Sequence, residues 1–169
     1  MPQTSYSNYH SAAIAGQVVS KDDSGQRGRY ECSEDLNFGR LVELHTDGKL
    51  RHPQTAGAAG KLLGGVPYNP SLPPTNVSGS YVNGYANGAH MVPVFRKGQM
   101  WIEYTGTAPS AEKAVNVMSS STTATHRGKV TADATSTTAG SEIYALGGAV
   151  CVEVDTALSL ALIEFNLPA

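Results

Sequence analysis

Ser110 and Lys113 form an SxxK pair, one of the few spacings in this chain that could support catalysis. On a helical turn this spacing lets a lysine activate a serine for acyl transfer. The SDN and KTG elements that accompany the pair in serine acyl-transferases are absent from the sequence. The four-residue coincidence therefore carries no prediction of catalysis.

A second group of side chains with possible chemistry lies between residues 45 and 52. His45 and His52 flank Asp47, and imidazole and carboxylate groups are common metal ligands. The chain has no HExxH motif or other close ligand pair, so solvated loop residues are the favoured interpretation. A metal-dependent hydrolase using these three residues stays as an alternative, which metal analysis would test. We predict no catalytic residue, no metal and no cofactor.

The segment GAAGKLLGG, residues 57–65, resembles a phosphate-binding loop only in its Gly-Lys pair. Thr55 stands where the Walker pattern needs its first glycine, and Leu62 stands where it needs a serine or threonine. A flexible glycine loop with a solvated lysine is the predicted structure. The carboxylates Glu31 and Glu34 belong to an acidic segment that has no calcium-loop pattern and is predicted to be solvated.

The composition is neutral and restricts the class of partner. Charged residues make up 15% of the 169 residues, whereas globular proteins average about 25%. The net charge of -2 gives no basic surplus, so we expect no nucleic-acid partner. No apolar run approaches the ~20 residues that span a bilayer, and the start lacks a signal peptide's positive region, so we expect no membrane association. Cys32 and Cys151 are predicted to be buried thiols.

Turn residues and short alternating runs predict an all-β fold, a small β-barrel or sandwich of roughly seven to ten strands. In QMWIEYTG, residues 99–106, Met100 and Ile102 fall on one face and Trp101 on the other. With AHMVPVFR before it, this run predicts a hairpin that turns at residues 97–98. If the Met100 face is core, Trp101 is an exposed interface anchor or covers a neighbour; if the faces are reversed, Trp101 is core.

The remaining segments suggest how the chain is organised. EIYALGGAVCVEVD and LALIEFNL predict two long strands separated by a turn at Asp155 and Thr156. Residues 45–88 are rich in Pro, Gly and Asn and predict an irregular extension, either functional or made of short hairpins. We expect an extended N-terminal arm over residues 1–30 and a β-rich domain over residues 31–169.

Four segments stand out along the chain: AGQVVS at 15–20, ECSEDLNFGRLVEL at 31–44, RGKVTADAT at 127–135 and ALIEFNLPA at 161–169. Taken in order, they resemble the tailed-phage capsid cement (head decoration) proteins. The resemblance implies a structural virion protein without catalysis, made in the host cytoplasm and bound to the capsid exterior. It further implies contact with adjacent major capsid proteins, often as a homotrimer, that stabilises the shell against internal DNA pressure.

The segment YSNYHSAAIAGQVVS, residues 6–20, is the predicted partner-binding arm. Small side chains let its backbone approach a sheet edge on a capsid protein or a neighbouring subunit, and aromatic or branched side chains would anchor it. An N-terminal strand tucked into the protein's own barrel is the alternative. The predicted partner-binding residues are Tyr6, Tyr9, Ala13, Ile14 and Trp101.

Two further functions stay open at this point. A phage tail or fibre component would also be structural and rich in β-strands, but a tail-tube protein would polymerise without a shell. A carbohydrate-binding module would need exposed aromatic side chains, for which Tyr81, Tyr85 and Trp101 are the candidates.

Overall fold

The computed structural model describes residues 13–19, 30–54, 61–72, 75–77, 80–120, 124–136 and 140–167. It confirms the predicted all-β fold: the described residues form antiparallel sheets, with one 3-10 turn of helix at Ala124–His126. The strands are β1 (Leu36–Asn37), β2 (Leu41–Leu44), β3 (Leu50–Arg51), β4 (Lys61–Gly65), β5 (Thr75–Val77), β6 (Ser80–Val82), β7 (Gly84–Tyr85), β8 (Lys97–Glu103), β9 (Ala114–Ser120), β10 (Val130–Thr131), β11 (Ser141–Asp155) and β12 (Leu160–Asn166).

The largest sheet has five strands in the order β10-β9-β11-β12-β8. Strands β12 and β8 pair over their whole length, from Leu160 opposite Glu103 to Asn166 opposite Lys97. Beyond β8, Tyr104 forms a parallel bridge with Val130 of β10. This bridge brings the two edge strands of the sheet close together at one point, and one face of the sheet packs on a core.

Alternation along the strands fills this first core, because successive side chains point to opposite faces of a sheet. Met100 and Ile102 are fully buried, so of the two orientations left open by the sequence, their face of β8 is the core face. The buried members are Leu41, Phe95, Met100, Ile102, Val115, Val117, Val130, Leu146, Ala149, Cys151, Ala161, Ile163 and Phe165.

A second core lies under the shorter strands. The sheet β3-β2-β4 and the pair β1-β7 enclose it, and strand β2 borders both cores, since Leu41 packs in the first and Val42 in the second. Strands β5 and β6 pair with each other. The buried members are Cys32, Leu36, Phe38, Val42, Leu50, Leu63, Val66, Tyr85, Val92 and Val94.

The structure contradicts the hairpin predicted around residues 97–98. These two residues begin β8, whose partner is β12, and Gly98 has a φ of 104° within the strand. The preceding segment pairs elsewhere, since Val92 bridges Tyr30 and Phe95 bridges Gly65. The prediction was wrong because alternation fixes the faces of a strand but not its neighbour. The predicted hairpin of β11 and β12 is confirmed.

The glycine-rich run also has a different structure from the predicted loop. Lys61–Gly65 is strand β4, paired with β2. A Cβ atom on Gly64 would lie 2.1 Å from the Phe95 carbonyl oxygen, and Gly64 has a φ of 154°. At least this glycine is therefore needed for the close approach of two backbones.

Both cysteines are buried free thiols, as predicted. Burial raises the pKa of the Cys32 and Cys151 thiols, so they stay protonated near neutral pH. Among the described residues, no helix has the length and apolarity that crossing a membrane requires.

Candidate functional site

The N-terminal segment that the structure describes lies against the outer edge of β8. The Gly16 amide donates to the Trp101 carbonyl at 2.7 Å, and the Trp101 amide donates to the Gln17 carbonyl at 3.0 Å. The Val19 amide donates to the Gln99 carbonyl at 2.9 Å, and Val18 bridges Met100. Residues 16–19 thus add a short antiparallel segment to the sheet and cover an edge that would otherwise be exposed.

Two glycines allow this segment to dock so closely. Gly16 and Gly39 have φ angles of 82° and 69°, in the region that glycine favours. A Cβ atom on Gly39 would lie 2.6 Å from the Gly16 amide nitrogen, and one on Gly16 would lie 2.7 Å from the Tyr68 amide nitrogen. The Tyr68 amide in turn donates to the Gly16 carbonyl at 2.8 Å. Glycine at these two positions therefore allows the N-terminal segment to dock against the sheet.

Trp101 lies on the outer face of the sheet, because its neighbours Met100 and Ile102 fill the core. Register pairs it with Leu162 of β12, and Leu162 pairs with Glu153 of β11. These three residues form a row across three strands, which we call the outer row. Trp101 is half-buried and Leu162 is buried. The outer row is therefore apolar and largely shielded from solvent at these two residues, and it ends in the carboxylate of Glu153.

A groove of about 530 Å³ runs between the N-terminal segment and the turn that joins β11 to β12. We call it the hairpin groove. Its lining residues are Ala13, Gln17, Val19, Trp101, Glu153, Val154, Asp155, Thr156, Ala157 and Leu162. Ala13 also lines a neighbouring cleft that contains Leu158, so this residue marks where the two depressions adjoin.

The turn beside the groove is held in one conformation and displays a leucine. The Asp155 carboxylate accepts hydrogen bonds from the amides of Ala157 and Leu158 at 3.0 and 3.1 Å. Ser159 has a φ of 55° and closes the turn. Leu158 is nevertheless 47% exposed. The turn therefore presents an apolar side chain to solvent at a position where polar residues are usual.

Other exposed aliphatic side chains lie on the same elements. Ile14 and Val19 belong to the N-terminal segment and are 41% and 49% exposed, while Val150 and Val152 extend outward from β11. Ile14 is held by a turn in which the Gln17 amide donates to the Ile14 carbonyl at 2.9 Å. Burying such side chains against a partner stabilises a complex without first ordering a loop.

A separate cleft of about 480 Å³ has charged walls. In it Arg40 pairs with Glu103 at 3.0 Å, and Arg127 pairs with Glu34 at 3.4 Å. Lys129 also contacts Glu103, at 3.0 Å. The prediction that the acidic segment is simply solvated was therefore wrong for Glu34. Sequence reasoning missed these pairs because their members are far apart in the chain.

His52 lies at the base of this charged cleft and is buried. Its Nε2 accepts from the Asn37 amide at 3.2 Å, and its Nδ1 lies 2.9 Å from the Leu41 carbonyl oxygen. These contacts require a neutral ring with the proton on Nδ1. Burial, reinforced by the charges of Arg40 and Arg127, lowers the pKa of His52 to about 4. The residue is thus a structural link between strands.

The structure does not bring the suspected ligand residues together. His45 Nε2 lies 2.7 Å from Glu43 Oε1, Asp47 pairs with Arg51, and His52 contacts backbone groups. Within the described ranges, no group of three or more His, Cys, Asp or Glu side chains could hold a metal ion. Ser110 and Lys113 lie in a turn before β9, where the Lys113 amide donates to the Ser110 carbonyl at 3.2 Å.

One candidate aromatic for carbohydrate binding is buried. Tyr85 is 8% exposed and packs edge-on against Phe38, with ring centroids 5.7 Å apart. The expectation that Tyr85 is exposed was wrong. Strand β7 pairs with β1, and this pairing directs the Tyr85 ring toward the second core.

Of the five predicted partner-binding residues, Ala13, Ile14 and Trp101 occur on one side of the molecule, around the N-terminal segment. Tyr6 and Tyr9 lie outside the described residues. Sequence reasoning missed Glu153 and Leu158. The available signal was Leu158, an apolar residue two positions after the predicted turn at residues 155–156.

Comparison with known proteins decides the family. The model of the family described as "Structural cement protein (E217 gp24/Pam3 gp6)" matches residues 1–166. The chain belongs to this family. It is a structural protein of a bacteriophage capsid, as its sequence resemblance implied.

Among solved structures, this cement protein is similar to a chain of "The capsid of Myoviridae Phage XM1". The TM-score is 0.65 at 20% sequence identity, over 90% of this chain and 89% of the other. At that identity the likeness shows a shared fold. No curated protein matches the chain.

Proposed function

We propose that the protein decorates the outside of an icosahedral phage capsid and cements adjacent major capsid proteins against internal DNA pressure. Membership of the structural cement family over residues 1–166 is the observation that carries this proposal. The protein is made in the host cytoplasm and acts in the virion. It needs no cofactor, nucleic acid or membrane, and it assembles as a homotrimer.

The surface around the N-terminal segment is the proposed contact with the capsid or a neighbouring subunit. Ala13, Ile14 and Trp101 supply its described part, and Tyr6 and Tyr9 supply aromatic anchors from the preceding residues. The exposure of Ile14 supports this role, because the side chain stands on a turn that is already formed. A preformed contact loses little side-chain and loop entropy on binding.

Cementing by such a surface depends on repetition. Each aliphatic or aromatic side chain removed from water contributes on the order of 1.5–3 kcal/mol, much of which is offset by the loss of free motion on association. A trimer that contacts several capsid proteins converts later contacts into intramolecular ones, which raises avidity without new interactions. A neutral, hydroxyl-rich surface with few anchors is consistent with this mode of binding.

The test combines the mass of the purified protein in solution with co-sedimentation on expanded phage shells. We expect a trimer that pellets with shells and remains soluble without them. Polymerisation of the protein alone would favour a tail component instead. If the protein does not bind shells of the matching phage, the proposal is wrong.

A variant that lacks residues 2–19 tests the arm. We expect it to decorate shells much more weakly than the full chain. Equal affinity would exclude the arm as a contact while leaving the cement role intact. Because residues 16–19 also cover the edge of β8, thermal unfolding of the variant must be compared with that of the full chain.

A further inference from the structure

We propose that the hairpin groove binds an arginine or lysine side chain from an apolar segment of the major capsid protein. This inference rests on the proposed function and names the chemistry of the contact. Three observations support it: the negative charge of the groove, the indole on its wall, and the hydrogen bonds that hold the two walls in place.

The groove is acidic, and its two carboxylates have no cationic partner among the residues that the structure describes. Glu153 and Asp155 line it, and none of its described lining residues is a lysine, arginine or histidine. In the part of the chain that the structure describes, no cation lies within ion-pair distance of Glu153 or Asp155. A cation from a partner would therefore complete this groove.

The indole of Trp101 makes the groove suited to a long basic side chain in particular. Through the outer row, Glu153 and Trp101 lie on the same face with Leu162 between them. An aliphatic stem can lie on Leu162 and the indole while its charged end reaches the carboxylates, and a cation over an indole face gains further attraction. A neutral apolar segment would supply no positive charge to either carboxylate, and Asp155 would keep only its hydrogen bonds to the turn amides.

The groove is also formed before any partner arrives. One wall is residues 16–19, which hydrogen-bond to Gln99 and Trp101 of β8. The other wall is the β11–β12 turn, fixed by the Asp155 carboxylate. Exposed Val19 and Leu158 lie at or beside the rim, where they fit the apolar residues that flank the basic side chain.

The experiment measures binding of purified variants to undecorated expanded shells as a function of protein concentration. Glu153→Lys reverses the charge, and Ala157→Arg fills the groove. Glu142→Lys is the matched control, since Glu142 is an exposed residue of the same strand outside the groove. We expect both groove variants to bind at least about tenfold more weakly, and the control to stay within about twofold of the wild type. Thermal unfolding identifies any variant that fails to fold.

Two further measurements distinguish a failure of the groove inference from a failure of the proposed cement function. Wild-type binding should weaken with added NaCl more steeply than binding of the Glu153→Lys variant, because the variant has lost an ionic contact. Wild-type affinity in both folded groove variants overturns the inference and leaves the cement function standing. A wild-type protein that does not bind shells overturns the proposed function itself. A change in solution mass of Glu153→Lys also overturns the inference, because the groove would then contact a second copy.

Discussion

The two cores of this cement protein are built in different ways. Around the first core, β8, β9 and β12 have 7 residues each and β11 has 15. Around the second core, β1, β3 and β7 have 2 residues each. The long strands form a stiff platform that carries the hairpin groove. The short strands depend on particular contacts between distant residues.

The second core is held together by close backbone approaches and buried hydrogen bonds, and ion pairs contribute less to its stability. Glu31 and Lys49 lie 2.6 Å apart, but both side chains are more than one third exposed, and such pairs contribute about 0–1 kcal/mol. By contrast, a Cβ atom on Gly84 would lie 1.8 Å from the Leu36 carbonyl oxygen. The pairing of β1 with β7 beside the second core thus requires a glycine at position 84.

The largest effect is expected where the two regions join. Phe95 pairs through its backbone with Gly65, while its ring packs in the first core with its centroid 6.3 Å from that of Phe165. Phe95→Ala should lower the free energy of unfolding by about 3–5 kcal/mol, because it leaves a cavity at this junction. Urea unfolding measures the loss.

Phe38→Ala is the comparison for that variant, since Phe38 is equally buried but belongs to the second core. In hydrogen exchange, we expect Phe38→Ala to lower protection mainly in β1, β2 and β7, and Phe95→Ala to lower it in both regions. Identical exchange patterns would show that the two cores unfold as one unit, which would remove the distinction between them.

The next effect tests close backbone approach. Gly39→Ala should cost roughly 2–4 kcal/mol, since the new methyl group meets the Gly16 backbone and Ala15 and the φ of 69° disfavours alanine. Gly88→Ala is the matched control: its φ is 80°, and no heavy atom lies within 4 Å of the added Cβ. It should cost only about 1 kcal/mol. Equal costs, measured by thermal unfolding, would mean that docking of residues 16–19 adds no stability.

A third effect is dependence on pH through His52, which links β1 and β2 as a neutral ring. Its pKa of about 4 lies below the ordinary value of 6.5, so the unfolded chain takes up the proton first. Stability is therefore complete above pH 6.5 and falls as the pH drops toward 4, by roughly 2–3 kcal/mol near pH 4.5. Urea unfolding at several pH values measures this slope.

His52→Gln isolates the contribution of the imidazole. The variant should be less stable at pH 7 but should lose little further stability between pH 6.5 and 5, where most carboxylates remain ionised. If its slope in that window equals that of the wild type, another group is responsible for the acid sensitivity.

The contrast between the cores also explains what the sequence predicted. The alternation of Met100, Trp101 and Ile102 separated the two faces of β8, because period-2 patterning is local, but it left open which face is buried. The predicted pairing of β8 with the segment before it was wrong. Its partner, β12, lies about 60 positions away in the chain, and no local pattern encodes such a pairing. Glu34 was predicted to be solvated for the same reason, since its partner Arg127 is distant in sequence.

The smallest effect on stability should be the most informative about the surface. Leu158 and Leu160 stand two positions apart at the β11–β12 turn, and they are 47% and 4% exposed. Leu160→Ala should cost about 2–5 kcal/mol in unfolding free energy, because it creates a cavity. Leu158→Ala should change stability by less than about 0.5 kcal/mol, yet it should weaken shell binding if the rim of the groove contacts the capsid. A Leu158→Ala variant with unchanged stability and unchanged shell binding would remove the turn from the contact surface and confine that surface to the N-terminal segment.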